Sequence, residues 1–198
     1  ISEAFNNRVV SGNSRSRDLN FSGTVDTVYL GCWYKDRLIE LGGFDEELVR
    51  NQDDELCLRI RLNFGKKILQ NAKIRSYYEP RSSFSKLFMQ YYQYGYWKAK
   101  VAKKHGQFGS SRHWIFILLP LFCLPIIVLN PLAIMWLVGI YFTLLLVGTV
   151  TSRKRHSIFV RLASLVPSLI MHISYYIGLI VSALRLDRIS FDKETLSR

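Results

Sequence analysis

The chain has 198 residues, with 27 Lys and Arg against 15 Asp and Glu, a formal net charge of +12, and 49% hydrophobic and 14% aromatic residues. The basic residues cluster beside apolar segments, where attraction to anionic headgroups and orientation in a membrane account for them better than nucleic acid does, so nucleic acid is excluded as the expected partner. Three scattered cysteines, Cys32, Cys57 and Cys123, lack CxxC spacing and suggest neither a disulfide framework nor a zinc site; a reducing, cytosolic face fits them. Residue 1 is Ile, and no charged-then-apolar leader follows it, so the chain reads as the back part of something longer.

Up to about Lys104 the sequence is polar and mixed. From His113 to Leu184 it is dominated by Leu, Ile, Val and Phe, with Gly109, Ser110 and Ser111 as a hinge. One soluble piece (1–110), one membrane piece (111–186) and a polar tail (187–198) are expected.

In the soluble piece, VDTVYLG (Val25 to Gly31) is rich in β-branched and aromatic residues and reads as a buried strand. A short helix is expected from Lys35 to Leu41, ended by Gly42 and Gly43, which accept the left-handed conformation without a Cβ clash. The following stretch, GGFDEELVRNQDDELCLRI, carries six carboxylates into the start of an apolar helical face. Leu56, Ile60 and Phe64 have helical spacing, and Glu55 lies one turn before Arg59. Asp53 and Asp54 fall in the first turn, where exposed N–H groups and the helix dipole favour ionised carboxylates that accept protons or hydrogen bonds. An ordinary acidic helix start has the same composition.

Gly65 is expected to stop that helix, and KILQNAKIRSYYEP offers two short extended runs, the second ended by Pro80. Ser82 or Ser83 is placed to cap a helix over 84–104, with Phe84, Leu87, Phe88, Tyr91 and Tyr92 as an aromatic stripe and Lys98, Lys100, Lys103 and Lys104 at its far end. That profile suits an element at headgroup level, and a plain core helix has the same periodicity.

Residues 113–130 and 132–150 read as a transmembrane hairpin turning at Asn130-Pro131, with Arg153, Lys154 and Arg155 returning to the lysine-rich cytosolic side. A third apolar run, 158–184, is interrupted by Arg161 and Pro167. Its crossing part is expected from Pro167 to Leu184, with Arg185 and Arg188 leaving its course open. His172 within it is expected either to mark a functional site or to find a partner in the helix bundle.

The ordered set VDTVYLG, GGFDEEL, NQDDELCLRI, YYEPRSS, QYYQYGYWK and then apolar helices resembles the family 2 glycosyltransferases with a GT-A fold, specifically the membrane-anchored group similar to succinoglycan-type exopolysaccharide synthases. The GNSR stretch at Gly12 to Arg15 and MHISYYIG at Met171 to Gly178 extend the resemblance over essentially the whole chain. The fold class it implies is α/β, the C-terminal half of a GT-A domain followed by an all-α transmembrane region. QDDELCLR matches the helix that carries the family's catalytic base; Asp53 falls on the base, Asp54 on the spacer and fallback, and Glu55 on the second acid. Gln52 stands where the family often has Glu.

Gln93, Tyr96 and Trp97 are similar to the QxxRW pattern of processive relatives, with Tyr96 in place of Arg, which puts processive polymerisation in doubt. Gln93 and Trp97, together with Asp26 of VDTVYLG, are the candidate substrate-binding residues. The resemblance also implies a nucleotide-sugar donor, a lipid-linked or polysaccharide acceptor, membrane lipids as neighbours, and Mg²⁺ or Mn²⁺. No DxD motif occurs in the chain, so the metal and nucleotide ligands are expected in a preceding donor-binding half. The implied location is a multi-pass inner (plasma) membrane protein with its catalytic part cytosolic. A polyprenyl-phosphate sugar synthase and a non-catalytic glycan-binding membrane module are the alternatives.

Overall fold

The computed structural model describes residues 1–7, 9–12, 14–152 and 156–184. The basic cluster at 153–155, the arginines at 185 and 188, the tail 187–198 and one residue of the GNSR stretch lie outside them.

Among the described residues the chain is mostly helical, with α1 (Lys35–Glu40), α2 (Gln52–Phe64), α3 (Phe84–His105), α4 (Ile115–Leu129), α5 (Ala133–Val150), α6 (Ile158–Ala163) and α7 (Leu165–Ala183). Two three-residue strands, β1 (Gly23–Val25) and β2 (Ile68–Gln70), pair antiparallel with Gly23 opposite Gln70 and Val25 opposite Ile68. These residues are therefore mostly helical and carry one small antiparallel sheet; the expected α/β class is met in its helical C-terminal part, while the GT-A half of the expectation does not follow from two three-residue strands. VDTVYLG contributes only Val25 to a strand. The residues after it turn instead, with Leu30 in a left-handed conformation at φ 54°. The second extended run at 73–78 pairs with no strand, and Ile74 and Tyr77 stand in solvent. Alternation alone does not hold a strand that lacks both a buried face and a partner ladder.

The chain forms two compact units, each built from separated segments. The first comprises the described residues of 15–78, 92–110 and 177–184, and contains α1, α2, both strands and the second part of α3. Its core has two clusters. Leu48, Leu58, Tyr96, Trp97 and Val101 form one, and Val25, Cys57 and Ile68 form the other, so α2 is packed on one side by α3 and on the other by the strand pair. The end of α7 lies directly on α3. A Cβ on Gly178 would fall 2.0 Å from the Tyr92 carbonyl oxygen and 3.0 Å from the Tyr96 nitrogen, so only glycine permits this approach.

The second unit comprises residues 1–14, 79–91 and 111–176. The Ser83 hydroxyl accepts from the Lys86 N–H (3.3 Å) and caps α3 as expected. Leu87 is buried with Ala4 and Met171, whereas Phe84 and Phe88 of the expected aromatic stripe are largely exposed. The α4–α5 hairpin turns at Asn130-Pro131, with the Asn130 side chain accepting from the Leu132 N–H (3.2 Å). Asn7 ties the first residues to α5 by donating to the Leu145 carbonyl (3.2 Å) and the Thr149 hydroxyl (3.1 Å). The helical run from 158 breaks at Ser164, because Pro167 lacks an N–H and its ring excludes the carbonyl four residues earlier. His172 of α7 meets the Tyr141 hydroxyl of α5 at 2.8 Å, so the half-buried histidine has a partner within the bundle.

Two helical runs, Ala133–Val150 and Ile158–Ala183, are long and apolar enough to cross a membrane. A shorter apolar helix, α4, has fifteen residues and follows directly on a 3₁₀ turn at Ser111–Trp114.

Candidate active site

The acidic segment is held together from its own basic residues upward. α1 ends at Glu40, and Gly42 and Gly43 follow at φ 80° and 75°, letting the Gly43 N–H donate back to the Leu38 carbonyl (2.8 Å). Arg59 then fixes that turn against α2. Its Nη1 donates to the Leu41 carbonyl (2.6 Å) and its Nη2 to the Gly43 carbonyl (2.7 Å), while Nε and Nη2 grip the buried Glu55 carboxylate at 2.6 and 2.8 Å. His105, the last residue of α3, reaches Glu55 Oε1 through Nε2 at 2.8 Å. A carboxylate as buried as Glu55 requires this bidentate, charge-assisted partnership.

The start of α2 is pinned from two sides. Asn51 precedes it in a left-handed conformation, φ 63°, and donates from Nδ2 to the Tyr94 carbonyl of α3 (3.3 Å). The Gln52 amide donates to the Asp45 carbonyl (3.4 Å). Lys104 spans Asp45 and Glu47, at 2.8 and 3.0 Å. Burial pushes the Asp45 carboxyl upward, but hydrogen bonds from Lys104 and the Glu47 N–H outweigh it and hold Asp45 below its ordinary range; the same carboxylates raise the Lys104 ammonium.

The two aspartates of the first turn have different fates. Asp54 accepts from Lys98 Nζ in an ion pair in which the lysine is only 3% exposed. Asp53 forms no ion pair among the described residues. Burial raises its carboxyl above the ordinary aspartate value and the Asp54 charge adds to this, while the backbone N–H groups of Asp54 and Asp53 and the charge of Lys98 act against it. The site thus presents one half-buried carboxylate of raised basicity at the N-terminus of a rigid helix, beside acids already occupied by cations. A proton acceptor has this character.

β1 brings the VDTVYLG segment to the middle of α2, where Val25 packs on Cys57. Asp26 follows directly, half-buried. Cys57 is fully buried; burial pushes its thiol upward against the hydrogen-bonding groups of Val28 and Thr27, so it fills the core and is not a nucleophile. Gln93 and Trp97 lie one turn apart on α3, and both are buried. Trp97 meets Tyr96 edge-on, 5.5 Å between centroids, and the Lys100 ammonium lies 4.9 Å from its ring centre. The structure therefore brings Asp53 and Asp54 together at one helix end, with Gln93 and Trp97 in the interior of the same unit.

Lys98, Lys104, Arg59 and His105 were not singled out by sequence as site residues. The profile of α3 suits either a headgroup-level element or a core helix, and only the packing of α3 on α2 turns Lys98 inward. Among the described residues no three His, Cys, Asp or Glu side chains gather as a metal-binding group. Asp45, Asp54 and Glu55 are each taken by a cationic side chain, so these residues do not fit a divalent ion, whose ligands the resemblance places outside this chain.

The chain is similar to the succinoglycan biosynthesis protein ExoA of Rhizobium meliloti (strain 1021), with 36% identity over 86 residues. The match covers 43% of this chain and 24% of that protein, so the chain spans about a quarter of the curated relative's length. No family model matches the chain. No solved structure matches it significantly.

Proposed function

We propose that the protein is an inverting family 2 glycosyltransferase that moves a sugar from a nucleotide-sugar to a lipid-linked or polysaccharide acceptor at the cytosolic face of a membrane, in the synthesis of an exopolysaccharide or cell-surface glycan. The observation that carries this reading is the contrast between Asp53 and its acidic neighbours: Asp54 and Glu55 are held in ion pairs, while Asp53, in no ion pair among the described residues, is the carboxylate whose pKa burial raises at the start of α2. The similarity to a succinoglycan biosynthesis protein supports a place in exopolysaccharide synthesis. The two apolar helical runs support a membrane seat; in this reading the protein is multi-pass and its catalytic part cytosolic.

In this reading Asp53 accepts the proton of an acceptor hydroxyl as that oxygen attacks the anomeric carbon, opposite the departing nucleoside diphosphate. Asp26, Gln93 and Trp97 belong to substrate binding, and Mg²⁺ or Mn²⁺ would be held by residues outside this chain. A polyprenyl-phosphate acceptor stays in the bilayer, so a site anchored beside it gains encounter frequency and orientation.

The test is sugar transfer by the complete protein in membranes, using labelled nucleotide-sugars and a polyprenyl-diphosphate-linked acceptor. Asp53→Asn should lower transfer by about a hundredfold or more while the protein stays folded. Full transfer in that variant would refute Asp53 as the base. A product carrying sugar on phosphate would indicate a polyprenyl-phosphate sugar synthase, and no transfer by the wild type would favour a binding module.

A further inference from the structure

We propose that Lys98 is a positioning residue for the Asp53 carboxylate: by closing Asp54 into a buried ion pair, it cancels the neighbouring charge that would otherwise oppose ionisation of Asp53. The inference rests on the reading of Asp53 as the base.

The geometry separates Lys98 from the other lysines at its end of α3. Lys103 and Lys104 are exposed and Lys100 is half-buried, whereas Lys98 is buried with its Nζ on Asp54. An ammonium kept for lipid headgroups would stand in solvent, as Lys103 does. Burying an ammonium is costly unless a partner of opposite charge meets it, and Asp54 is that partner. The pair also joins the first turn of α2 to α3, beside the hydrogen bond from Asn51 to the Tyr94 carbonyl.

The charged groups acting on Asp53 are Asp54 on its own helix and Lys98 from α3. Glu55, next along α2, is closed by Arg59 and His105. Two adjacent carboxylates without a cation would drive one of them towards the protonated form, the wrong form for a base. With Lys98 in place, the charge of Asp54 is offset by its partner, and Asp53 ionises chiefly against burial, with a smaller opposition from Asp54. Lys98 therefore acts by offsetting Asp54 and through its own charge on Asp53, and need not touch substrate.

This predicts opposite effects from the two partners. In the complete protein, Lys98→Met leaves Asp54 uncompensated beside Asp53, so the acid limb of the kcat/KM profile should move up by about one pH unit, with a several-fold loss of rate below neutral pH. Asp54→Asn leaves Lys98 unneutralised and should move the limb down. The double variant should return it towards wild type, and Lys98→Arg should stay close to wild type. Non-additivity of this kind is the signature of a coupled pair.

The Asp53 titration, followed by ¹³C NMR of labelled aspartate carboxyls in the detergent-solubilised full protein, reads the same shifts without substrate. Absence of wild-type transfer would thus refute the proposed function while the NMR series still decides the role of Lys98. Should Lys98→Met fail to fold, Asp54→Asn and the double variant carry the test. An Asp53 titration unmoved by either single substitution, or moved the same way by both, would overturn the proposal.

Discussion

Asp53 and Asp54 are adjacent in sequence and chemically identical, yet Lys98 makes one an ion-pair partner and leaves the other as a half-buried acid of raised pKa. The raised value has a consequence for stability as well as for activity. The folded protein binds the Asp53 proton more tightly than the unfolded chain, so this group contributes stability below the unfolded value of about 3.8 and loses it as pH rises through the higher folded value. At neutral pH the ionised carboxylate is a cost. Asp53→Asn should therefore raise the thermal midpoint at pH 7, and the gain should shrink as pH falls through the raised folded value towards 3.8, the opposite of its effect on transfer. A differential-scanning series across pH checks this, and a lowered midpoint at pH 7 would remove the argument. Sequence spacing places both aspartates in the first turn, the choice of Asp53 between them coming from the family resemblance, and it foresees the Glu55–Arg59 pair, found at 2.6 Å. It gave no sign that Arg59 also holds the Gly42-Gly43 turn, because those partners are backbone carbonyls 16 and 18 residues away.

At the level of elements, the helices are legible where local chemistry marks their ends. α2 begins after Asn51 and stops at Gly65, both left-handed, and α3 starts under the Ser83 cap. The strands are not legible, since three-residue segments are defined by their partners across the sheet and not by their own composition. The packing of α7 on α3 offers a sharper test. Gly178→Ala pushes a methyl into the backbone at Tyr92 and should destabilise the protein by about 1–3 kcal/mol. Gly139→Ala in α5, where a Cβ meets nothing within 4 Å, should be neutral or slightly stabilising. Equal effects of the two alanines on thermal unfolding in one detergent would show that the Gly178 approach is not close.

At the scale of the molecule, net charge, apolar content and two long apolar helical runs point the same way. The protein should stay with membranes after an alkaline carbonate wash; release into the supernatant would mark it as peripheral. Sequence alone set the basic and apolar character, the acidic segment and the helical spacing that places Asp53 and Asp54 in a first turn, because these depend on neighbours within a few residues. Tertiary structure decided the rest. It placed Trp97 and Lys98 in the interior, and divided two adjacent aspartates between an ion pair and a carboxylate of raised pKa. Those outcomes depend on α3 packing against α2 across more than forty residues of chain, and on which polar groups keep a partner once water is excluded, so no local pattern encodes them.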